Sequence, residues 1–363
     1  MEHTWMSVGN VVDIDNNIDD YTFLNNNCND SCNSICNNKF DNNCDNICNN
    51  NSNNCCNNSC YASVLQVSFE IFEGNGNVFA IINERINSIP NDETRSELSK
   101  EICNSNQIHN KRIDGLLFLQ PSNVADIKMR IFEKDGSESD MCGNGLRCIA
   151  KYLEQKSAIR NPKINIETNS GIFLTEVIGD TVKVDMGFPQ DPLKYVNLQK
   201  AAFNVLTQFC IAFTYKNHII YLLNSGEPHG VIIVDDIDHI DLTAFLDFIQ
   251  NKELFPFGIN LNAMQIINDK TIRIRTLERG LWATTLCCGT GSTSCATLMW
   301  LLNTHHNNSN NPNNPNNPNE IKVISDGGKL YIKFSKNKIW MRGTARRIGC
   351  LNYQMTKMNG AVP

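Results

Sequence analysis

Two cysteines in this sequence each stand directly before a Gly-x-Gly turn. Cys142 lies in the stretch DMCGNGLRC and Cys288 in the stretch LCCGTGSTSC, and residues that suit a helix follow both turns. The start of a helix presents unpaired backbone N–H groups and a partial positive charge, which stabilise a thiolate or a carboxylate. The pattern therefore predicts two thiols with lowered pKa values, each able to act as acid or base near neutral pH.

A pair of such thiols suits the inversion of a carbon centre. One group removes a proton from one face, and the other delivers a proton to the opposite face. Because the α-proton of an amino acid is weakly acidic, amide dipoles must stabilise the intermediate in a site that excludes water. The sequence thus predicts an amino-acid racemase or epimerase, with no pyridoxal phosphate or other cofactor and no metal at the site.

Two other uses of these turns fit the sequence less well. Neither GNGLRC nor GTGSTS has the third glycine of a dinucleotide-binding fingerprint. The turns also lack the C-x-x-C spacing of a thioredoxin-type redox site. Acid and base catalysis by the two thiols remains the favoured interpretation.

Composition limits the class of protein and its partners. The chain has 363 residues, of which 41% are hydrophobic, enough to build two domains. The net charge of −6 and the lack of a basic stripe argue against nucleic acid, and a small-molecule amino-acid substrate is expected instead. No apolar run reaches the length of a membrane span, and no secretory signal is evident, so a cytoplasmic protein without a membrane partner is expected. A homodimer is compatible with the sequence.

The chain divides by composition into an extension and two units of similar plan. Residues 1–64 are rich in Asn and Cys and are expected to be a disordered extension, although their cysteine spacings are also compatible with zinc. Strand patterns and one helix after each cysteine turn predict domains at 65–189 and 190–343, with an Asn/Pro loop inserted at 305–319. The tail at about 344–356 is expected to pack back on the first domain.

At these residues the chain resembles the diaminopimelate epimerase family, from about Gln66 to Gly343. Seven blocks in the family's order carry the resemblance: IFEGNGNVFAIIN, RIDGLLFL, FEKDGSESDMCGNGLRC, TEVIGDTVKVDMGFP, SGEPHGVIIV, GINLNAMQI and LERGLWATTLCCGTGS. The resemblance implies an α/β (α+β) fold of two pseudo-symmetric domains, each a curved, mainly antiparallel sheet around a central helix. It also implies interconversion of LL- and meso-diaminopimelate, on the way to lysine and peptidoglycan, without a pyridoxal cofactor.

The resemblance assigns roles to individual residues. It implies that Cys142 and Cys288 are the catalytic acid and base, with His229 in a supporting role and Glu278 among the catalytic and substrate-binding groups. The other implied substrate-binding residues are Asn77, Gly115, Glu133, Gly143, Asn144, Glu227, Asn260, Arg279, Gly289 and Thr290. Arg279 suits a bidentate pair with the carboxylate of a substrate's second amino-acid head, and Glu278 suits its ammonium.

Three positions depart from the family's usual residues. Glu133 and Glu227 stand where the family commonly has Asn, and Thr284-Thr285 stands in place of a Glu-Thr pair. An extra carboxylate beside a substrate carboxylate weakens binding unless it pairs with an ammonium or is protonated.

Two alternatives therefore stay open. A related two-cysteine racemase could act on proline, hydroxyproline or histidine, without needing a site for a second zwitterion. A non-catalytic thiol or zinc-binding module built on the Cys-rich extension is the alternative of a different class.

Overall fold

The computed structural model describes residues 6–7, 62–105, 107–108, 111–156, 161–197, 203–280, 282–306, 319–335 and 338–358. The chain forms two compact units, residues 1–68 with 350–363 and residues 69–349. In the first unit, Met6 and Ser7 pair antiparallel with Thr356 and Met355. The second unit contains both cysteine turns and every residue assigned above to the site.

The first half of the second unit is a mainly antiparallel sheet that packs around one helix. Its elements, with the short strand that opens the chain, are β1 (Met6–Ser7), β2 (Ala62–Gly74), β3 (Asn77–Asn83), α1 (Asp92–Ser105), β4 (Gln107–Ile108), β5 (Lys111–Arg112), β6 (Gly115–Gln120), β7 (Ile127–Glu133), β8 (Glu138–Ser139), α2 (Gly143–Gln155), β9 (Lys163–Thr168), β10 (Gly171–Ile178) and β11 (Thr181–Asp185). Helix α2 packs on β10, β11, β3 and β7, while α1 packs on β6 and β7.

The second half follows a similar plan around another helix. Its elements are a 3-10 turn (Pro192–Tyr195), β12 (Asn204–Thr207), β13 (Cys210–Tyr215), β14 (His218–Asn224), β15 (Pro228–Ile233), a 3-10 turn (Leu242–Phe245), α3 (Leu246–Ile249), β16 (Asn260–Asn268), β17 (Thr271–Glu278), β18 (Ala283–Thr285), α4 (Gly289–His306), β19 (Glu320–Ser325), β20 (Gly328–Ser335), β21 (Lys338–Thr344) and β22 (Arg346–Met358). Helix α4 packs on β14 to β17 and on β19 to β21.

Burial of apolar side chains holds these layers together, and it occurs in two clusters. One cluster contains side chains of both central helices, including Leu146 and Ile149 of α2 and Cys295 and Leu298 of α4. The other covers the second half, where Phe213, Phe245 and Phe255 are buried with neighbouring aliphatic side chains. The first cluster therefore joins the two helices whose N-termini carry Cys142 and Cys288.

The predicted α/β fold with two repeated halves is confirmed. Strand β3 coincides with the predicted stretch NVFAIIN, and both helices after the cysteine turns are present. Strand β2 begins at Ala62, four residues before the predicted strand at Gln66. The sequence patterns missed α1, although Asn91 caps it by accepting from the Thr94 N–H at 2.8 Å.

The other predicted boundaries concern the N-terminal extension, the Asn/Pro loop and the domain limits. Most of the predicted extension at 1–64 and of the loop at 305–319 lies outside the described residues, and so do all eight cysteines from Cys28 to Cys60. The domain limits at 65–189 and 190–343, and the placement of the tail, stay predictions. Among the described residues, no helix is long and apolar enough to cross a membrane.

Candidate active site

The two cysteines occupy equivalent positions at the starts of α2 and α4. Cys142 is the N-cap of α2, and its Sγ accepts from the Gly145 N–H at 3.4 Å. The Cys288 Sγ accepts from the Gly291 N–H, also at 3.4 Å. The sulfur atoms therefore replace the side-chain oxygen that usually caps a helix, and each lies in the field of unpaired amides.

The two turns lie against each other at their first glycines. A Cβ on Gly143 would be 3.9 Å from the Gly289 Cα and only 2.7 Å from the Met341 Cε. A Cβ on Gly289 would be 3.7 Å from the Gly143 Cα and 3.1 Å from the Met341 Sδ. Glycine at both positions lets the helix N-termini approach this closely, with Met341 packed beside both turns.

The predicted lowering of the thiol pKa values is wrong for this structure. Burial raises the pKa of Cys142 to about 12, with a smaller opposing effect of the Gly145 N–H. Burial also holds the pKa of Cys288 well above its ordinary value, and the carboxyls of Glu278 and Glu227 raise it further. The energetic cost of placing a thiolate away from water therefore exceeds the gain from the helix amides.

His229 connects to Cys288 through Thr290. His229 is fully buried, and burial lowers its pKa to about 3. The nearby positive charge of Arg279 makes a smaller contribution in the same direction. Its Nδ1 lies 3.1 Å from the Asn262 amide Nδ2, which can only donate, so the ring proton is assigned to Nε2. Nε2 then donates to the Thr290 Oγ1 at 2.9 Å, and the Thr290 hydroxyl lies 3.4 Å from the Cys288 Sγ.

Asn144 links the first turn to the peptide before Cys288. Its Nδ2 donates to the Asn77 Oδ1 at 2.7 Å and to the carbonyl oxygen of Cys287 at 3.0 Å. Asn77 in turn donates to the Asp114 carboxylate at 3.4 Å. Two of the predicted binding residues, Asn77 and Asn144, are thus brought together, and their side chains are already engaged with each other.

Glu133 and Gly115 face each other across β6 and β7. They are paired in register, and a Cβ on Gly115 would be 3.8 Å from the Glu133 Oε2. The Glu133 Oε1 accepts from the Ser139 hydroxyl at 2.8 Å. Burial raises the pKa of Glu133, and the negative charge of Glu278 adds to that rise. The carboxyl that replaces the family's usual Asn is therefore close to a second carboxyl.

Glu227, Asn260 and Arg279 form a polar group in the second half. The Asn260 Oδ1 accepts from the Arg279 backbone N–H at 2.9 Å, and its Nδ2 donates to Glu227 at 3.1 Å. The Arg279 guanidinium lies 3.5 Å from Glu227 and donates to the Phe257 carbonyl at 2.9 Å. Glu227 thus partly neutralises the arginine that sequence reasoning assigned to a substrate carboxylate.

Glu278 stands next to Cys288. Its Oε1 accepts from the Thr285 hydroxyl at 2.5 Å, and its carboxyl also interacts with the Cys288 thiol. Burial raises the pKa of Glu278. Thr285, the second residue of the Thr284-Thr285 pair, therefore holds this carboxyl in place.

Three buried residues of this region were missed by sequence reasoning: Asn75, Arg147 and Asn262. Asn262 orients His229 and accepts from the Thr276 hydroxyl at 2.8 Å. Arg147 is fully buried at the start of α2 and donates to the amide oxygens of Asn75 and Asn144. Arg147 and Asn262 could be noticed only as polar residues inside otherwise apolar elements, and Asn75 only as a turn residue between β2 and β3, because their partners lie far apart in the chain.

Comparison with known proteins identifies the family. The diaminopimelate epimerase family model matches residues 69–191 and 221–348. The chain is 32% identical to the diaminopimelate epimerase of Archaeoglobus fulgidus and 34% identical to that of Methanocella arvoryzae, and each match covers 78% of this chain and 95% of the relative. It is 33% identical to the diaminopimelate epimerase of Bacillus cereus, over 78% of this chain and 96% of that relative.

Solved structures show the same fold at low sequence identity. A hydroxyproline epimerase from Agrobacterium vitis matches with a TM-score of 0.53 and 13% identity, over 80% of this chain and 91% of that chain. A Bacillus anthracis protein of the PhzF phenazine biosynthesis family matches with a TM-score of 0.52 and 16% identity, over 79% and 98%. With two cysteine turns at paired helix N-termini and relatives that match along nearly their whole length, the chain belongs to the diaminopimelate epimerase family of isomerases.

Proposed function

We propose that this protein interconverts LL-2,6-diaminopimelate and meso-diaminopimelate by acid and base catalysis with two thiols. One observation carries the proposal. Two helix N-termini, each with a cysteine sulfur that accepts from a backbone N–H, lie close together at Gly143 and Gly289. The names of the relatives support the choice of substrate. The product would serve lysine and peptidoglycan synthesis.

The chemical step transfers one proton to the enzyme and one from it. In the direction from LL to meso, the Cys288 thiolate takes the α-proton, and the electron pair of the broken C–H bond moves onto the α-carbon and its carboxylate. The Cys142 thiol donates its proton to the opposite face of that carbon and becomes the thiolate. The roles exchange in the reverse direction, so the pair titrates as one coupled system.

The groups around the thiols suit the charges that the substrate carries and develops in this step. The free backbone amides at the starts of α2 and α4 suit the reacting carboxylate, where negative charge grows in the transition state. Arg279 suits the distal carboxylate, and Glu278 and Glu133 suit an ammonium. Burial and then nearby carboxyls raise the pKa of both thiols, with Glu133 and Glu278 acting on Cys142 and Glu278 and Glu227 acting on Cys288. An ammonium bound beside Glu278 would therefore favour thiolate formation.

The proposal is tested by incubating the reduced protein with LL-diaminopimelate and separating the isomers by chiral chromatography. Arg279→Ala should lower kcat/KM by about 100-fold, because a charge-assisted contact with the distal carboxylate is lost. Arg273→Ala is the matched control, since Arg273 lies on β17, the strand that ends just before Arg279, but pairs with Asp238. Its activity should stay within about twofold of wild type.

Assays with the substrates of related racemases test the alternative function. L-Proline, trans-4-hydroxy-L-proline and L-histidine should not be converted under the same conditions. Conversion of one of them, with none of diaminopimelate and no effect of Arg279→Ala, would replace the proposal by a two-cysteine racemase for that amino acid.

A further inference from the structure

The fully buried guanidinium of Arg147 takes no direct part in the proposed reaction. It lies on α2 one turn after Cys142, with none of its surface exposed. In the described part of the chain it has only uncharged acceptors, namely the Asn75 Oδ1 at 2.9 Å, the Asn144 Oδ1 at 2.7 Å, the Gly143 carbonyl at 3.3 Å, the Thr344 carbonyl at 3.4 Å and the Met341 Sδ at 3.8 Å. Burying an unpaired charge is costly, so this arrangement calls for a functional explanation.

The guanidinium fixes the orientation of one side-chain amide. A guanidinium can only donate, so the atom of Asn144 that faces Arg147 must be the oxygen. The Asn144 Nδ2 consequently points the other way, to the Asn77 Oδ1 and to the carbonyl oxygen of Cys287. That carbonyl belongs to the peptide that joins Cys287 to Cys288. Arg147 therefore acts, through one amide, on the segment that carries the second thiol.

A second route leads from Arg147 to the same segment. Asn75 accepts from Arg147, has a positive φ of 51° and donates through its Nδ2 to the Lys329 carbonyl. A Cβ on Gly327 would be 2.2 Å from the Asn75 carbonyl oxygen, and the Gly327 N–H donates to the Leu286 carbonyl at 2.7 Å. The carbonyl groups of Leu286 and Cys287 are thus held, directly or indirectly, by the partners of one guanidinium.

We infer that Arg147 is a positioning residue that fixes the placement of the Cys288 turn relative to the Cys142 turn, through the amide of Asn144 and the backbone at Asn75. Its side chain starts on the helix that Cys142 caps, and its two routes end next to Cys288. The Arg147 Nη2 donates to both amide oxygens, while Nη1 donates to the Gly143 carbonyl and Nε to the Thr344 carbonyl. The single nitrogen of a lysine cannot reach acceptors that are spread around the three nitrogens of a guanidinium.

The decisive variant is Arg147→Lys, which keeps the charge and leaves one donor nitrogen in place of three. The wild type and the variant are treated with iodoacetamide, and alkylation of each cysteine is followed by peptide mass spectrometry. Cys142 and Cys288 should be alkylated at least about fivefold faster in the variant because their turns are no longer held. Cys148 and Cys295, fully buried on the same two helices, are internal controls whose rates should not change.

Kinetics and a matched variant separate positioning from stability. Arg147→Lys should lower kcat at least about tenfold and change KM less than about threefold, since substrate groups are still bound but the thiols are misplaced. Lys151→Gln changes another buried cation on α2, whose Nζ donates to the Gly179 carbonyl. It should lower the melting temperature without changing kcat or the alkylation pattern.

The inference fails if all four cysteines become more reactive together, because that result indicates general loosening of the fold. It also fails if neither alkylation nor kcat changes. The kinetic result rests on the proposed function, whereas the alkylation pattern does not. A protein inactive on diaminopimelate would thus refute the proposed function and leave the alkylation test of Arg147 valid.

Discussion

The two cysteine turns have the same backbone design and different surroundings. Each sulfur accepts from an amide three residues later at 3.4 Å. Cys142 is only partly buried, and after burial the carboxyls of Glu133 and Glu278 raise its pKa. Cys288 is buried, with the Thr290 hydroxyl, the neutral His229 behind it and the carboxyls of Glu278 and Glu227 around it. The helix start supplies the common chemistry, and the side chains around it distinguish the two thiols.

Removal of either thiol has the largest expected effect, and it tests whether the two turns are equally required. Cys142→Ser and Cys288→Ser should each lower kcat/KM for epimerisation by about 1,000-fold or more, because each direction of the reaction needs both groups. Isomer separation over time measures the rates, and melting temperatures check the fold. Cys350→Ser is the control and should keep wild-type activity. Substantial activity in one of the two turn variants would mean that its thiol is not an acid or base in the reaction.

The next effect concerns ionisation in the substrate-free protein. A raised pKa means that the thiol stays protonated through neutral pH and that thiolate appears only as the pH rises well above 9. At pH 8, alkylation of Cys142, whose pKa burial raises to about 12, should be about 100-fold slower than alkylation of an ordinary peptide cysteine, and it should accelerate with pH. Cys288 should behave similarly. Rapid alkylation at pH 7 would restore the lowered pKa values that the helix starts alone predicted.

A matched pair of glycine substitutions tests the difference in crowding between the turns. A Cβ on Gly291 would lie 2.6 Å from the Asn262 Oδ1, 3.2 Å from the His229 Cε1 and 3.3 Å from the Cys288 Sγ. Gly291→Ala should therefore displace the thiol and lower kcat by about 100-fold. A Cβ on Gly145 would meet mainly the Leu117 side chain, at 3.1 Å, so Gly145→Ala should cost only a few-fold. Equal losses of kcat in the two variants would show that the two turns do not differ in crowding.

The smallest effect is expected from removal of the Thr290 hydroxyl, a group that only the second turn has. Thr290→Val removes the contact between His229 and Cys288 while keeping the shape of the side chain. The Thr290 hydroxyl lowers the pKa of Cys288, so its loss should raise that pKa, shift the rise of kcat to higher pH and reduce kcat about tenfold at neutral pH. The pH profile of kcat measures this shift. An unchanged profile would remove Thr290 and His229 from the account of how Cys288 ionises.

Local patterns were sufficient to predict much of the fold. The C-G-x-G turns predicted the starts of both central helices, because glycine and a capping sulfur are visible in a few residues. Alternating apolar residues predicted strands such as β2 and β7. Strand β12 and helix α1 were missed, since β12 is short and largely exposed and α1 has few apolar residues to mark its buried face.

The site was predictable only where single residues carried the signal. The thiols and the residues near them came from the motifs, but the network of Arg147, Asn75 and Asn144 joins positions that are distant in the chain. The pKa prediction was wrong for a physical reason. A helix start favours a thiolate, and the sequence does not show how completely the folded protein removes water from that position.

The measurement that tests the two-thiol account most directly is proton NMR of LL-diaminopimelate with the wild-type protein in D2O, at low conversion. If one thiol removes the proton and the other delivers one already exchanged with solvent, deuterium should enter the meso product at the inverted carbon while the remaining LL substrate keeps its α-proton. Product that retains its original α-proton would mean that a single base moves the proton between the faces, and it would contradict the assignment of Cys142 and Cys288 to opposite faces.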